Sequence, residues 1–353
     1  MKKLCREKNL LELHPRSWAL ALAVLVFGLL AGCQSQPAGA AGGSPDFERL
    51  SLRYQGFAGQ VTYPELAEDL GYLAPIRLDY VGNTISGPQD IQTVVTRDID
   101  FGGAFNGAVI KLMAAKAPIT AVMGYYGVDE STWGGYYVLD NSPIGSARDF
   151  IGKKVAVNTI GAHHEFVLRE YLTRAGLTKD EIAQVTLVVV PPVSAESSLR
   201  QGQVDVAVLQ SILRDKALER GGIRSVFKDH DLFGNFTAGS YVFTREFLRE
   251  NPKTARRFVE ATARAIEWAR STPRGQVITR MTSIIERRGR AEDTSATRYW
   301  RSTGVAGQGG LLSDREFQVW IDWLVKDGQL RPGELSPSQL YTNELNPFQK
   351  GPA

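Results

Sequence analysis

Four stretches place Ser, Thr, Gly or an amide side chain where a strand should give way to a helix. They are Gln55-Gly56-Phe57, Ile85-Ser86-Gly87, Asn158-Thr159-Ile160-Gly161-Ala162-His163 and Val193-Ser194-Ala195. The first N–H groups of a helix have no partner inside it, and the helix dipole favours negative charge there. The chemistry on offer is therefore capture of an oxyanion or another polar solute. One such Ser or Thr is ordinary helix capping; four, spread over two series of elements, point to a shared cleft. Aromatic residues gather at the same edges: Phe57, Phe105, Tyr125, Tyr126, Trp133, Tyr136 and Tyr137. They could enclose an organic body, although Tyr136 and Tyr137 face opposite sides of a strand, so some belong to the core. His163-His164-Glu165 suggests a metal, but adjacent helical positions point about 100° apart and no third ligand follows at a fixed spacing. No metal and no cofactor are expected. One imidazole donating to an anion suits the helix start better. Neither G-x-S-x-G nor G-x-x-x-x-G-K-[ST] occurs, so a binding protein rather than an enzyme is expected.

The elements that must position these residues are those of an α/β protein with mainly parallel strands. The first series runs strand Leu50–Tyr54, helix 64–73, strand Ile76–Tyr80, helix 87–97, strand 99–103, helix 108–115 and strand 119–124. The second runs strand 154–157, helix 162–175, strand 185–190, helix 194–202 and strand 204–209. Each series closes on a similar phrase, Thr96-Arg97-Asp98-Ile99-Asp100-Phe101 and Gln201-Gly202-Gln203-Val204-Asp205-Val206. Two copies make twin lobes, not a solenoid. Trp133–Leu139 and Ser240–Phe243 are the expected crossings between them, placing the hinge there. Helices are expected over 253–271, 272–288, 294–302 and 314–327, followed by irregular surface chain from Arg331.

An apolar run from Trp18 to Leu30 follows Lys2, Lys3, Arg6, Lys8 and Arg16 and ends at Leu30-Ala31-Gly32-Cys33. This is the layout of a secretory signal, and its end resembles a bacterial lipobox. The resemblance implies cleavage before Cys33 and a lipid on its thiol. The expected organisation is a leader over 1–32, a flexible spacer over 33–46, lobe I over 47–138 and 243–353, and lobe II over 139–242. The chain has two cysteines, Cys5 and Cys33, so no disulfide forms in the mature protein. A net charge of +3 with scattered basic residues gives no reason to expect nucleic acid.

Asp149-Phe150-Ile151-Gly152-Lys153-Lys154-Val155-Ala156-Val157, then Gly161 and Ala175-Gly176-Leu177, resembles the second lobe of ABC-transporter substrate-binding proteins for sulfonates, taurine, nitrate and thiamine precursors. Leu66–Tyr72, Arg97–Gly102, Leu199–Asp205, Tyr241-Val242-Phe243 and Asn251-Pro252 extend the likeness. It implies a two-lobed periplasmic-binding-protein clamshell closing on a small solute; the expected solute is a small organic anion, sulfonate- or taurine-like, and the alternative is a nitrogenous heterocycle such as a thiamine-precursor pyrimidine, held by a transport receptor, a signalling sensor or an enzyme. It implies ligand contacts at Gln55, Gly56, Phe57, Ser86, Asn106, Thr159, Gly161, Ala162, His163 and Gln210, with Trp133 near the hinge. The edge and aromatic readings add Ser194 and Tyr125. The implied partners are the solute, an ABC permease with its ATPase, and the membrane through the lipid alone. The protein would be a monomer in the cell envelope, outside the cytoplasmic membrane. His163-His164 and Gln210-Ser211 depart from the residues usual at those positions.

Overall fold

The computed structural model describes residues 47–350. The leader and the whole spacer, Cys33 included, lie outside the described residues. Ten strands follow in chain order: β1 (Ser51–Gly56), β2 (Arg77–Asn83), β3 (Phe101–Phe105), β4 (Ile119–Val128), β5 (Gly134–Leu139), β6 (Lys154–Val157), β7 (Thr186–Val189), β8 (Val206–Gln210), β9 (Ile223–Lys228) and β10 (Phe236–Thr244). β1 and β2 form a parallel pair, β3-β10-β4 an antiparallel sheet, and β7-β6-β8-β5-β9 a five-stranded sheet. In the last, β6 is parallel to β7 and β8, while β5 is antiparallel to β8 and β9.

The sheets are thus mixed, and the antiparallel strands have one cause. Val128, at the end of β4, pairs with Phe236 at the start of β10. On the other side Gly135, near the start of β5, pairs with Lys228 at the end of β9. Chain leaving one half and chain returning to it therefore run side by side, which makes those strands antiparallel. The crossings are short, at 129–133 and 234–235. This corrects the expected ones: β5 belongs to the second sheet and β10 to the first, so lobe I ends near 133 and resumes near 236. Gly134–Val138 are all buried, and a run buried on both faces carries no mark of which sheet it joins.

The repeated phrase has a structural meaning. Arg97 and Gly202, at matching positions, both take positive φ (65° and 67°) and end their helices. Three residues on, Asp100 accepts the N–H of Arg53 at 2.7 Å and Asp205 that of Lys154 at 2.8 Å. Each aspartate N–H is returned to the carbonyl of the same residue at 2.9 Å. The same device sets the register of a strand in each half.

Behind the first half lies the helix Pro252–Ser271, whose ten buried residues include a stripe at helical spacing (255, 258, 259, 262, 266, 269). Phe258 packs on Phe101 at 4.4 Å. The helix Asp314–Lys326 opens on a Ser313–Glu316 capping box. It carries Trp320 to Phe105 of β3 at 5.1 Å and to Phe166, in the second half, at 4.1 Å. The helix expected over 294–302 is only a 3-10 turn, Thr297–Tyr299. The tail is not surface chain throughout: Leu340 is fully buried and Tyr341 bridges Ala121 of β4. Trp320→Ala should destabilise the fold by about 3–5 kcal/mol in urea unfolding. Trp320→Phe should cost much less, because the indole N–H has no partner to lose.

Candidate functional site

A cleft of about 310 Å³ opens between the two halves, beside the crossings. The first half supplies Phe57, Ser86, Phe105, Tyr125, Tyr126 and Tyr241, and the second Asn158, Ala162, His163, His164, Gln210 and Asp229. Trp133, in the first crossing, closes the inner end. Its ring is clamped by the Arg214 guanidinium at 3.7 Å and the Lys228 ammonium at 5.0 Å. Arg214, fully buried, also donates to the Ser131 and Trp133 carbonyls and pairs with Asp215. Both cations are thereby turned to the ring and away from the cavity.

Seven of the thirteen expected ligand residues line this space: Phe57, Ser86, Tyr125, Trp133, Ala162, His163 and Gln210. Gln55, Gly56, Asn106, Thr159, Gly161 and Ser194 do not. Asn106 is fully buried, donating to the Thr237 and Glu316 carbonyls and accepting from Ser240; it ties β10 to the last long helix. The Gln55 carbonyl accepts from Thr93. The Gly161 N–H goes to Glu165 and its carbonyl to Lys111, so neither is left for a solute. Ser86 lines the cleft but also caps its helix, accepting from the Gln89 N–H at 3.4 Å.

The sequence reading missed a whole wall. Met281, Ile285, Thr297, Trp300, Ser302 and Thr303, all from the C-terminal helical region, face the cavity, as do Gln60, Thr62 and Tyr63. Met281 and Ile285 sit four apart on an amphipathic helix, which reads equally well as core. Asp229 carried no motif at all.

The second half's wall is a chain of polar contacts. The Gln210 carbonyl accepts from Nε2 of His164 at 2.8 Å, which leaves the His164 Nδ1 lone pair without a partner. Burial, with the neighbouring His163 second, pushes the His164 pKa down to about 3, so this imidazole is neutral. Nε2 of His163 faces Oδ2 of Asp229 at 3.4 Å, and its Nδ1 is likewise unpartnered. Asp229 accepts the Gly134 N–H at 2.9 and 3.1 Å. On the opposite wall, Tyr125 stacks on Tyr241 at 4.2 Å and meets Tyr126 edge-on at 4.9 Å. Gly103 fits between two groups that leave no room for a side chain: a Cβ there would stand 2.6 Å from the Tyr125 ring, while its N–H donates to Asp90 at 2.7 Å.

This architecture can be matched to known proteins. Residues 65–276, more than half the chain, match the family model described as NMT1/THI5 like. The chain belongs to that family. A protein of Escherichia coli (strain K12) named as an aliphatic sulfonates-binding protein is 30% identical over 168 residues, 47% of this chain and 50% of the relative. The chain thus spans about half the length of the curated relative it matches. Among solved structures, the periplasmic aliphatic sulphonate binding protein SsuA from Escherichia coli superposes with a TM-score of 0.65 at 20% identity, covering 86% of this chain and 96% of that one. The periplasmic nitrate-binding protein NrtA from Synechocystis PCC 6803 gives 0.64 at 14%, over 85% and 88%. The desulfurization enzyme DSZB gives 0.57 at 18%, over 84% and 97%. The α/β fold of the family is that of periplasmic sulfonate- and nitrate-binding proteins, and an enzyme shares it.

Asp90 lies just behind the tyrosine wall, and burial pushes its carboxyl up to about 7 from an ordinary 3.8. The folded protein then holds a proton that the unfolded chain has already lost. Stability is therefore full below pH 3.8 as far as this group is concerned, and it declines as pH rises towards 7. Asp90→Asn should flatten that decline, a few kcal/mol at most, in urea unfolding followed from pH 4 to 8.

Proposed function

We propose that the protein is an extracytoplasmic solute-binding receptor of an ABC importer, tethered by a lipid on Cys33, that captures a small organic solute in the cleft and delivers it to the permease. The observation that carries this reading is the enclosed cleft between halves joined by two adjacent short crossings. Such a joint lets one half rock on the other, with dihedral changes confined to a few residues. The contacts across the mouth suit it. Arg301 pairs with Asp215 at 2.5 Å, Lys216 with Asp293 at 3.7 Å, and Lys111 reaches the Gly161 carbonyl at 3.3 Å. Pairs between exposed side chains, such as Lys216–Asp293, are worth about 0–1 kcal/mol each, so these polar contacts add little to what holds the halves together. A solute touching both halves binds the closed form better, and that difference is what shifts the population.

The relatives' names, sulfonate- and nitrate-binding, support a small anion such as a sulfonate. The lining favours the second reading, a nitrogenous heterocycle: aromatic rings stand on both walls, and none of its residues is Lys or Arg among the described residues. Catalysis would need a nucleophile or metal. The relative and two of the solved structures are named as binding proteins and one as an enzyme, and the receptor reading follows the binding proteins.

Native mass spectrometry of the purified mature chain should reveal a co-purified small molecule. Adding it back at a hundred times its Kd should raise stability by about 2.7 kcal/mol, and X-ray scattering should show the particle contract. Conversion of that molecule on prolonged incubation would overturn the receptor reading in favour of an enzyme. Labelling of cells with radioactive palmitate should mark the protein, and Cys33→Ala should abolish the label.

A further inference from the structure

We propose that Asp229 is the specificity-determining group of the cleft, restricting it to aromatic or heteroaromatic solutes that carry hydrogen-bond donors and no net negative charge. The inference rests on the receptor reading and adds to it the charge and the donor pattern of the solute.

Asp229 is 2% exposed, lines the cavity and stands at the hinge. Its two oxygens share one backbone N–H, that of Gly134, and Oδ2 has a long contact to His163. A carboxylate has about four acceptor sites, so capacity is left over. No Lys or Arg lines the cavity beside it among the described residues. Arg214 is spent on Asp215, two carbonyls and the Trp133 face. Lys228 pairs with Asp231 at 3.5 Å and lies against the same ring. Asp229 also acts on the facing wall, adding to burial in holding the Tyr126 hydroxyl protonated.

The other polar atoms are of a matching kind. His163 and His164, each 7% exposed, present Nδ1 atoms with no partner. Facing the Gln210 amide carbonyl, the neutral His164 ring donates through Nε2 and keeps a lone pair on Nδ1, while the His163 ring turns Nε2 to the Asp229 carboxylate. Tyr125, Tyr126 and Tyr241 also line the cavity, and their hydroxyls can donate. The cleft thus offers acceptors near a carboxylate, together with a few neutral donors. A sulfonate or carboxylate head has only acceptors and would meet Asp229 as a like charge in a low-dielectric space. An amide, amidine or ring N–H beside a ring acceptor answers both sets, and the aromatic walls suit a flat body.

The test is isothermal titration of the mature protein with four probes sharing one ring: benzamide, benzamidine, benzoate and benzenesulfonate. We expect the better of the first two to bind at least tenfold more tightly than either anion. Asp229→Asn keeps the acceptor for the Gly134 N–H, and it should improve the anions relative to benzamide at least tenfold. Gln210→Glu adds a second carboxylate to the wall and should widen the wild-type preference, with melting curves checking that both variants remain folded. Anions binding as well as benzamide, an unchanged ratio in both folded variants, or no binding by any probe would overturn the inference. Native mass spectrometry separates the two readings: a co-purified sulfonate sinks this one and leaves the receptor standing, whereas absence of any bound or binding solute sinks both.

Discussion

The structure depends on two chain crossings being forced together. Val128 pairs with Phe236 on one side and Gly135 with Lys228 on the other, and Asp229, the residue after Lys228, accepts the N–H of Gly134. Backbone pairs and a buried carboxylate thus hold both passages side by side. Most other features follow. The strands flanking the passages must be antiparallel, the halves must share one joint, and the space beside that joint is enclosed on its inner end and open at the mouth.

Around this joint the molecule is apolar and aromatic. Trp320, from the C-terminal helical region, packs against Phe105 of one half and Phe166 of the other, while His163 lies 5.7 Å from the same indole. The imidazoles are therefore held by ring packing as well as by Gln210 and Asp229, which explains how two adjacent histidines can sit at a helix start almost without water. Their burial keeps His164 neutral. That neutrality, with a carboxylate nearby and every adjacent cation engaged elsewhere, gives the cleft a character that its helix starts alone would not have produced. Helix N-termini favour anions; here side-chain charge works against that preference.

The core and the site divide the polar groups differently. Asn106, Asp100 and Asp205 are satisfied by backbone partners and fix strand register or join elements. The Nδ1 atoms of His163 and His164 are left without partners and line one cavity beside the Asp229 carboxylate. The core has a few such atoms too, Thr262 Oγ1 and the Trp320 N–H among them, so it is the grouping of the two imidazoles with a carboxylate on one wall that suits a molecule there.

Much was already decided by the amino-acid sequence. The order of strands and helices, the internal duplication and the family likeness all follow from local periodicity and short phrases, and the matched Asp100 and Asp205 do in space what their repeated setting suggested. Strand–helix junctions bring Phe57, Ser86, Ala162 and His163 to the cleft, because the edge of an α/β sheet is a local feature of chain direction. Folding alone decided the rest. Asn106 has the composition of a ligand residue but meets Thr237 and Glu316, more than a hundred positions away. Asp229 carries no local signal, and its role arises only when β5 lies beside β9. Met281 and Trp300 become a cleft wall only because the C-terminal helices fold back on the first half. Side-chain type and spacing describe what a residue can do; which partners remain free to use it is settled by long-range packing, where one distant neighbour can consume a hydrogen bond or cancel a charge.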